Sequence, residues 1–268
     1  TGFNDLDELL GGLQRSDMII LGARPSLGKS TLAMNVSLNA AKNGAKVGVF
    51  SLEMSREQLA LRLLASEAEI DAHRLRLGLY TEAEEQRIID SIGRLSELPV
   101  FIDDTPFQTL VEMRSKSRRL SLETGLDLLI VDYLQLIQGK GRGDNRVQEI
   151  GEISRSLKGM ARDLGGALLT CSQLSRAVEG RTGHRPQLSD LRDSGSIEQD
   201  ADVVMFIHRE DRDYTVEEWD QQFPGKIYPK NIAEIIVAKH RNGPIGTMKL
   251  IFRDNLVRFD SMVSTENF

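Results

Sequence analysis

The chain is poor in several things, and each shortage excludes a class. It has one cysteine, Cys171, so no internal disulfide can form, and a reducing, cytoplasmic setting is expected. It has no apolar run of 18 residues and hence no helical membrane span. It begins on Thr1-Gly2-Phe3, with neither an initiator Met nor a signal-like start, and so reads as a piece of a longer chain. It also lacks a basic excess. Net charge is −6 and the pI is ≈ 5.4, which argues against a surface coated for nucleic acid, although a few local contacts in a channel remain compatible.

What remains is ordinary globular composition, 40% hydrophobic and 28% charged over 268 residues, enough for one large α/β domain. The centre of gravity is Gly22-Ala23-Arg24-Pro25-Ser26-Leu27-Gly28-Lys29-Ser30-Thr31. Apolar residues 18–21 before it read as a buried strand, and the residues after it continue as a helix. Strand, glycine loop, Gly-Lys-Ser and helix together make a phosphate-binding loop. A helix start offers unpaired N–H groups and a positive dipole end; Gly28 allows close approach, Lys29 reaches the β- and γ-phosphates and Ser30 ligates Mg²⁺. The usual first glycine of the motif is displaced: Ala23 stands in its place, with Gly22 one residue earlier.

Further apolar runs alternate with helical patterns. Residues 1–15 suggest a short amphipathic helix ended by glycine. The second strand spans 47–51 and delivers Glu53, which is either a base for the attacking water or a surface acid before a helix capped by Ser55 and Gln58. Residues 56–98 read as helical, with Leu59, Leu63, Leu64, Ile88, Ile89, Ile92 and Leu95 as core faces. A third strand at 100–102 ends in Asp103-Asp104-Thr105-Pro106, a metal pair or, more simply, a helix start for 110–124. Residues 128–132 form the clearest strand, and its terminal Asp132 is a Walker B acid, expected beside the strand that carries the loop. Gln138 to Arg146 is a basic glycine loop, either one that tracks a phosphate backbone or a solvated connection, without aromatics for base stacking. A helix follows over 147–164. The strand 167–171 then presents Gln173, a γ-phosphate sensor or a polar cap. His184 reads as an exposed loop residue, 202–207 as a strand and 209–230 as a charged surface excursion. The strand 233–241 ends in cations, and 247–252 and 256–259 are antiparallel to one another.

These residues resemble the bacterial DnaB-type replicative helicase family. The loop with its alanine variation, Ser51-Leu52-Glu53-Met54-Ser55, Asp132-Tyr133-Leu134-Gln135-Leu136-Ile137, Ser172-Gln173-Leu174-Ser175-Arg176, the run from Asp190 to Asp202 and Arg241-Asn242-Gly243-Pro244-Ile245-Gly246 occur in the family's order. The resemblance spans nearly the whole chain and implies a single RecA-like P-loop domain. In it a mostly parallel sheet is flanked by helices, with antiparallel strands at the C-terminal edge. The family's N-terminal domain is expected to lie outside this chain.

The resemblance also implies ATP with Mg²⁺ as cofactor, a homo-hexameric ring on single-stranded DNA, and primase and helicase-loader partners at cytoplasmic, nucleoid-associated replication forks. It places Ser26, Gly28, Lys29, Ser30 and Thr31 on nucleotide, Arg62 near its base, Ser30 and Asp132 at the metal, Glu53 as base and Gln173 as sensor. Arg241 becomes an arginine finger for the neighbour, with Lys239 beside it, and Arg192, Asp193 and Gly195 hold the DNA backbone. A RecA-like ring regulator of the KaiC type, a recombinase filament and a non-catalytic nucleotide scaffold are the competing readings.

Overall fold

The computed structural model describes residues 1–139, 146–181, 183–191 and 195–262. The elements follow as α1 (Asn4–Leu10), β1 (Met18–Ala23), α2 (Lys29–Lys42), β2 (Val47–Ser51), α3 (Arg56–Ala68), α4 (Ala72–Arg76), α5 (Glu82–Ser96), β3 (Val100–Asp103), α6 (Leu110–Glu123) and β4 (Leu128–Asp132). Then come α7 (Arg146–Leu164), β5 (Ala167–Gln173), α8 (Gly195–Asp200), β6 (Val203–His208), α9 (Val216–Gln222), β7 (Ile232–His240), β8 (Gly246–Arg253) and β9 (Arg258–Ser261). They build one nine-stranded sheet in the order β3-β2-β4-β5-β1-β6-β7-β8-β9. The first six strands in that order pair in parallel, and β6-β7-β8-β9 pair antiparallel.

Helices cover both faces, so the central strands must be apolar on both sides. Ile19, Leu21 and Ala23 of β1 join one core with Leu32 and Val36 of α2, while Met18 and Ile20 join the other with Ile153 and Leu157 of α7. The period-two alternation of β4 does the same, sending Ile130 to the first core and Val131 to the second. This double burial fixes the register of the strands whose ends carry the site.

Several sequence expectations need correction. Asp132 is not on the strand beside β1: β5 lies between β1 and β4. The stretch 56–98 is three helices; α3 stops at Glu69, which takes a left-handed conformation at φ 54°, and Asp71 then caps α4. Its apolar spacing overstates the core, because Ile89 and Ile92 are 56% and 52% exposed. Neither Asp103 nor Asp104 starts a helix. Thr109 caps α6, Asp103 pairs with Lys116 at 2.6 Å, and Asp104 accepts a 2.9 Å bond from the Arg56 N–H at the start of α3. Among the described residues no cluster of three or more His, Cys, Asp or Glu is placed to hold a metal.

His184 is half-buried against Asp213. The 209–230 stretch lies mostly at the surface, as expected, but is anchored at two points. Trp219 is buried among Tyr214, Phe223 and Tyr228, and Arg209 is fully buried with its guanidinium 4.4 Å from the Phe252 ring centre. The last strand runs Arg258–Ser261, because 254–257 form the turn.

Candidate functional site

β1 ends at Ala23, so Gly22 lies inside the strand. A Cβ there would sit 2.8 Å from the Phe206 ring and 3.0 Å from Leu174, so packing alone demands glycine. Ala23 is buried and occupies the end of the strand, and the loop proper begins at Arg24. Ser26 turns at φ 65° and Gly28 at φ 98°, where only glycine is comfortable. A Cβ on Gly28 would also meet the Phe259 ring at 2.8 Å.

Gly28 then caps α2 with no side chain bonded to the helix start and no acid in the first turn. The first N–H groups of a 14-residue helix are thus left for an anion, with the dipole undiminished.

An open cleft of about 490 Å³ forms above this helix start. Ser26, Gly28, Lys29, Ser30 and Thr31 line it from the loop, Glu53 and Met54 from the end of β2, Arg62 from α3, Tyr133 from the end of β4 and Gln173 from the end of β5. Parallel strands deliver their C-terminal ends to one edge, which is why residues distant in sequence meet there. Lys29 Nζ lies 3.1 Å from Asp132 Oδ1 and 3.9 Å from the centre of the Tyr133 ring. The Lys29–Asp132 contact is an ion pair without hydrogen-bond alignment, so Asp132 Oδ1 is buried with no donor of its own.

A buried carboxylate oxygen wanting a partner, held against Lys29 at an unneutralised helix start that also carries Ser30, suits a hydrated Mg²⁺ on a phosphate chain. The residues fit that group. Burial pushes the Arg62 guanidinium below its ordinary value, and the Asp132 and Glu53 carboxylates pull it back up; burial raises the Tyr133 phenol.

The cleft contains residues that sequence reasoning missed. Phe252, Asp254 and Val257 wall it from the β8–β9 hairpin, which folds back so that Phe259 N–H donates to Asn35 Oδ1 of α2 at 2.8 Å. Gln135 bridges two strand ends: its amide donates to Ser172 Oγ at 3.0 Å and to the Gln173 carbonyl at 3.2 Å, and accepts from Gln173 N–H at 3.2 Å. The Gln at that place in the Asp-Tyr-Leu-Gln run was the available signal; the hairpin wall had none.

Two expected residues are not in this cleft. Val203 and Val204, at the start of β6, pair with His240 and Lys239, so the end of β7 lies at the opposite edge of the sheet. Arg241 N–H donates to the Asp202 carbonyl at 2.8 Å, and Asp202 N–H in turn donates to the Met18 carbonyl at the start of β1. The six-residue β1 separates this edge from the phosphate loop by about 20 Å. There Lys239 donates to the carbonyls of Glu198 (2.5 Å) and Ala201 (2.8 Å), and Arg241 donates to that of Gln199 (3.0 Å) and forms an ion pair with the buried Asp202 carboxylate (3.3 Å). Both cations grip the C-terminal end of α8. Burial, with Arg241 nearby, lowers the Lys239 ammonium below its usual value. Gly195 opens α8 and is exposed; Arg192, Asp193 and the basic residues of 140–145 lie outside the described residues.

The sheet order, the loop at the C-terminal end of a central parallel strand and the acids at the ends of β2 and β4 define a RecA-like P-loop domain. Comparison with known proteins narrows the class. The chain belongs to the DnaB-like helicase C-terminal domain family, whose model matches residues 1–261.

It is 50% identical over 254 residues to the replicative DNA helicase DnaC of Bacillus subtilis and 49% identical to the replicative DNA helicase DnaB of Geobacillus stearothermophilus. Each match covers 94% of this chain and 54% of the relative, so the chain spans about half the length of these relatives. Two solved structures superpose with a TM-score of 0.89. One is a DnaB-like replicative helicase studied with its interactions with primase (34% identity, 98% of this chain and 61% of that one); the other is a separately solved ATPase domain (35%, 98% and 90%).

Proposed function

We propose that this chain is the ATP-driven motor domain of a replicative DNA helicase, assembled as a homo-hexameric ring that translocates on single-stranded DNA and hydrolyses ATP between subunits. One observation carries the reading: the residues expected of a hydrolytic site are divided between the two ends of the strands. Lys29, Ser30, Glu53, Gln173 and Arg62 line one cleft with Asp132 behind Lys29, while the cations Lys239 and Arg241 stand at the far edge of the sheet. A head-to-tail ring brings the second half of one subunit to the first half of the next.

The residues divide the work as follows. The N–H groups at the start of α2 and the Lys29 ammonium hold the β- and γ-phosphates, with Ser26 and Thr31 completing the cradle and Arg62 beside the base. Ser30 and Asp132 hold Mg²⁺, which supplies charge neutralisation on the phosphate oxygens. Glu53 accepts the proton of the attacking water. Gln173, held by Gln135 through its backbone, bonds the γ-phosphate and registers its loss. The neighbour's Arg241, with Lys239 beside it, meets the charge that develops on the transferred phosphoryl group, so turnover depends on the neighbour's position.

Arg192, Asp193 and Gly195 contact the DNA backbone in the channel, which reconciles DNA binding with a net charge of −6. Because α8 begins at Gly195 and its last carbonyls hold Lys239 and Arg241, DNA contact and finger position share one short helix. Primase and loader contacts, the cytoplasmic replication fork as its place of work and the single-domain assignment of residues 1–268 belong to the same reading.

The test is ATP turnover with and without an oligothymidylate, with mass measurement in the presence of an ATP analogue. Hexamers and a severalfold stimulation support the motor; no DNA response would favour a ring regulator, and open filaments would favour a recombinase.

A further inference from the structure

The cleft above the phosphate loop opens sideways into a second cavity of about 790 Å³. Glu53, Met54, Arg62, Asp254 and Val257 line both spaces. A nucleotide whose phosphates sit on the start of α2 has its sugar and base still to place, and this junction gives them room.

The 254–257 turn that walls the junction is fastened on two sides. Arg209, fully buried against the Phe252 ring, forks onto Asp211 with bonds of 3.1 and 2.9 Å. Its Nη1 reaches on to Asp254 Oδ1 at 3.5 Å, and Arg212 Nη2 donates to the same oxygen at 2.5 Å. From the other side Ala72 N–H, at the start of α4, donates to the Asn255 carbonyl at 2.8 Å. Val257 closes the turn at φ 49°, a left-handed conformation that is an outlier for a β-branched residue. Strain of this kind collects at ligand clamps.

Both arginines bond one oxygen of Asp254. The other, Oδ2, takes no hydrogen bond from the described residues, and the side chain is 47% exposed. A fixed carboxylate with a free oxygen is an acceptor without a donor. It would repel a phosphate, and it suits an uncharged hydroxyl.

We propose that Asp254 is a specificity-determining residue that accepts a hydrogen bond from a ribose hydroxyl of the nucleotide, so that the site discriminates ribose from its deoxy analogues. This rests on the ATP-driven reading above. The phosphate loop then fixes one end of the ligand through cations and N–H groups, and the turn reads the sugar through an anion. Because Asp254 is half exposed, water replaces the missing hydroxyl in part. The discrimination is therefore modest, far below that of a sealed polar pocket.

The test measures by calorimetry, in the full chain with Mg²⁺, the Kd of ADP, 2′-deoxy-ADP and 3′-deoxy-ADP. In the unmodified protein at least one deoxy analogue should bind about five- to tenfold more weakly than ADP, as for one hydrogen bond to a charged group. In Asp254→Ala that ratio should fall to unity through weaker binding of ADP, while the Kd of the deoxy analogue hardly moves. Asp254→Asn keeps one acceptor oxygen and should retain part of the ratio. Arg209 keeps Asp211 in both variants; should Asp254→Ala still fail to fold, the ratio in Asp254→Asn decides. Three equal Kd values in the unmodified protein would overturn the assignment, and so would a ratio unchanged in the variants. Equal weakening of all three ligands would also overturn it, since that marks a wall that only shapes the cleft. Failure of ADP to bind the unmodified protein would instead refute the ATP-driven reading itself.

Discussion

Arg241→Ala separates catalysis from stability. The side chain is 46% exposed, with one ion pair to Asp202 at 3.3 Å and one bond to the Gln199 carbonyl. Its loss leaves no orphaned charge, because Asp202 keeps Lys158 and the Met18 N–H. The folding cost is therefore at most about 1 kcal/mol, as for a partly exposed ion pair, and the Tm should move by about 2–4 °C for a chain of this size. Turnover should fall by about 10³–10⁵, the usual worth of a finger supplied in trans, which is about 4–7 kcal/mol of transition-state stabilisation. Nucleotide affinity should hold, since Arg241 and the Lys29 cleft lie at opposite edges of the sheet. Titration of a fluorescent ATP analogue, phosphate-release kinetics and thermal melting read the three quantities separately. Parallel losses in affinity and turnover would refute the trans assignment, as would a collapse of the Tm.

Glu53→Gln should bind nucleotide and lower turnover by about 10²–10⁴, the ordinary contribution of a general base; near-normal phosphate release would remove it from that role. Gly28→Ala forces a Cβ into a left-handed turn and against the Phe259 ring, so a strain of about 1–3 kcal/mol should appear as a lower Tm together with lost nucleotide binding in calorimetry. Trp219→Ala should destabilise by about 3–5 kcal/mol in urea unfolding, because this ring is buried at the centre of an aromatic cluster. Burial raises the Cys171 thiol. The folded state therefore keeps its proton where the unfolded chain has lost it, and stability should decline as pH rises past about 8.5, the unfolded thiol value. Cys171→Ser should flatten that alkaline limb of the stability profile.

Strands with double-sided burial were legible to the residue: 47–51 and 128–132 coincide with β2 and β4, since continuous apolar runs bounded by polar residues admit little else. The helix boundary at Glu69 was hidden because a non-glycine residue takes the left-handed cap and apolar spacing resumes beyond it. Ile89 and Ile92 kept a helical period yet face solvent, since periodicity names a face without saying that anything covers it. In the site, residues at strand ends could be read from their own strands. The Phe252–Val257 wall could not, because β9 pairs only with β8 and its contact with α2 is set by tertiary folding. Gly22 was read as a displaced motif glycine; its cause is the Phe206 ring on the neighbouring strand. Asp213 was invisible for the same reason, as a single acid in a charged stretch whose partners are Arg24, His184 and His208.

The division of one site between two subunits is tested most directly by mixing two inactive proteins. Lys29→Ala subunits lack the phosphate loop's cation but retain Arg241; Arg241→Ala subunits retain the loop. In a mixed ring, about a quarter of the interfaces would join an intact cleft to an intact finger. Basal ATP turnover of the equimolar mixture should rise well above that of either protein alone. A mixture as inactive as its components would mean that Arg241 does not complete its neighbour's site.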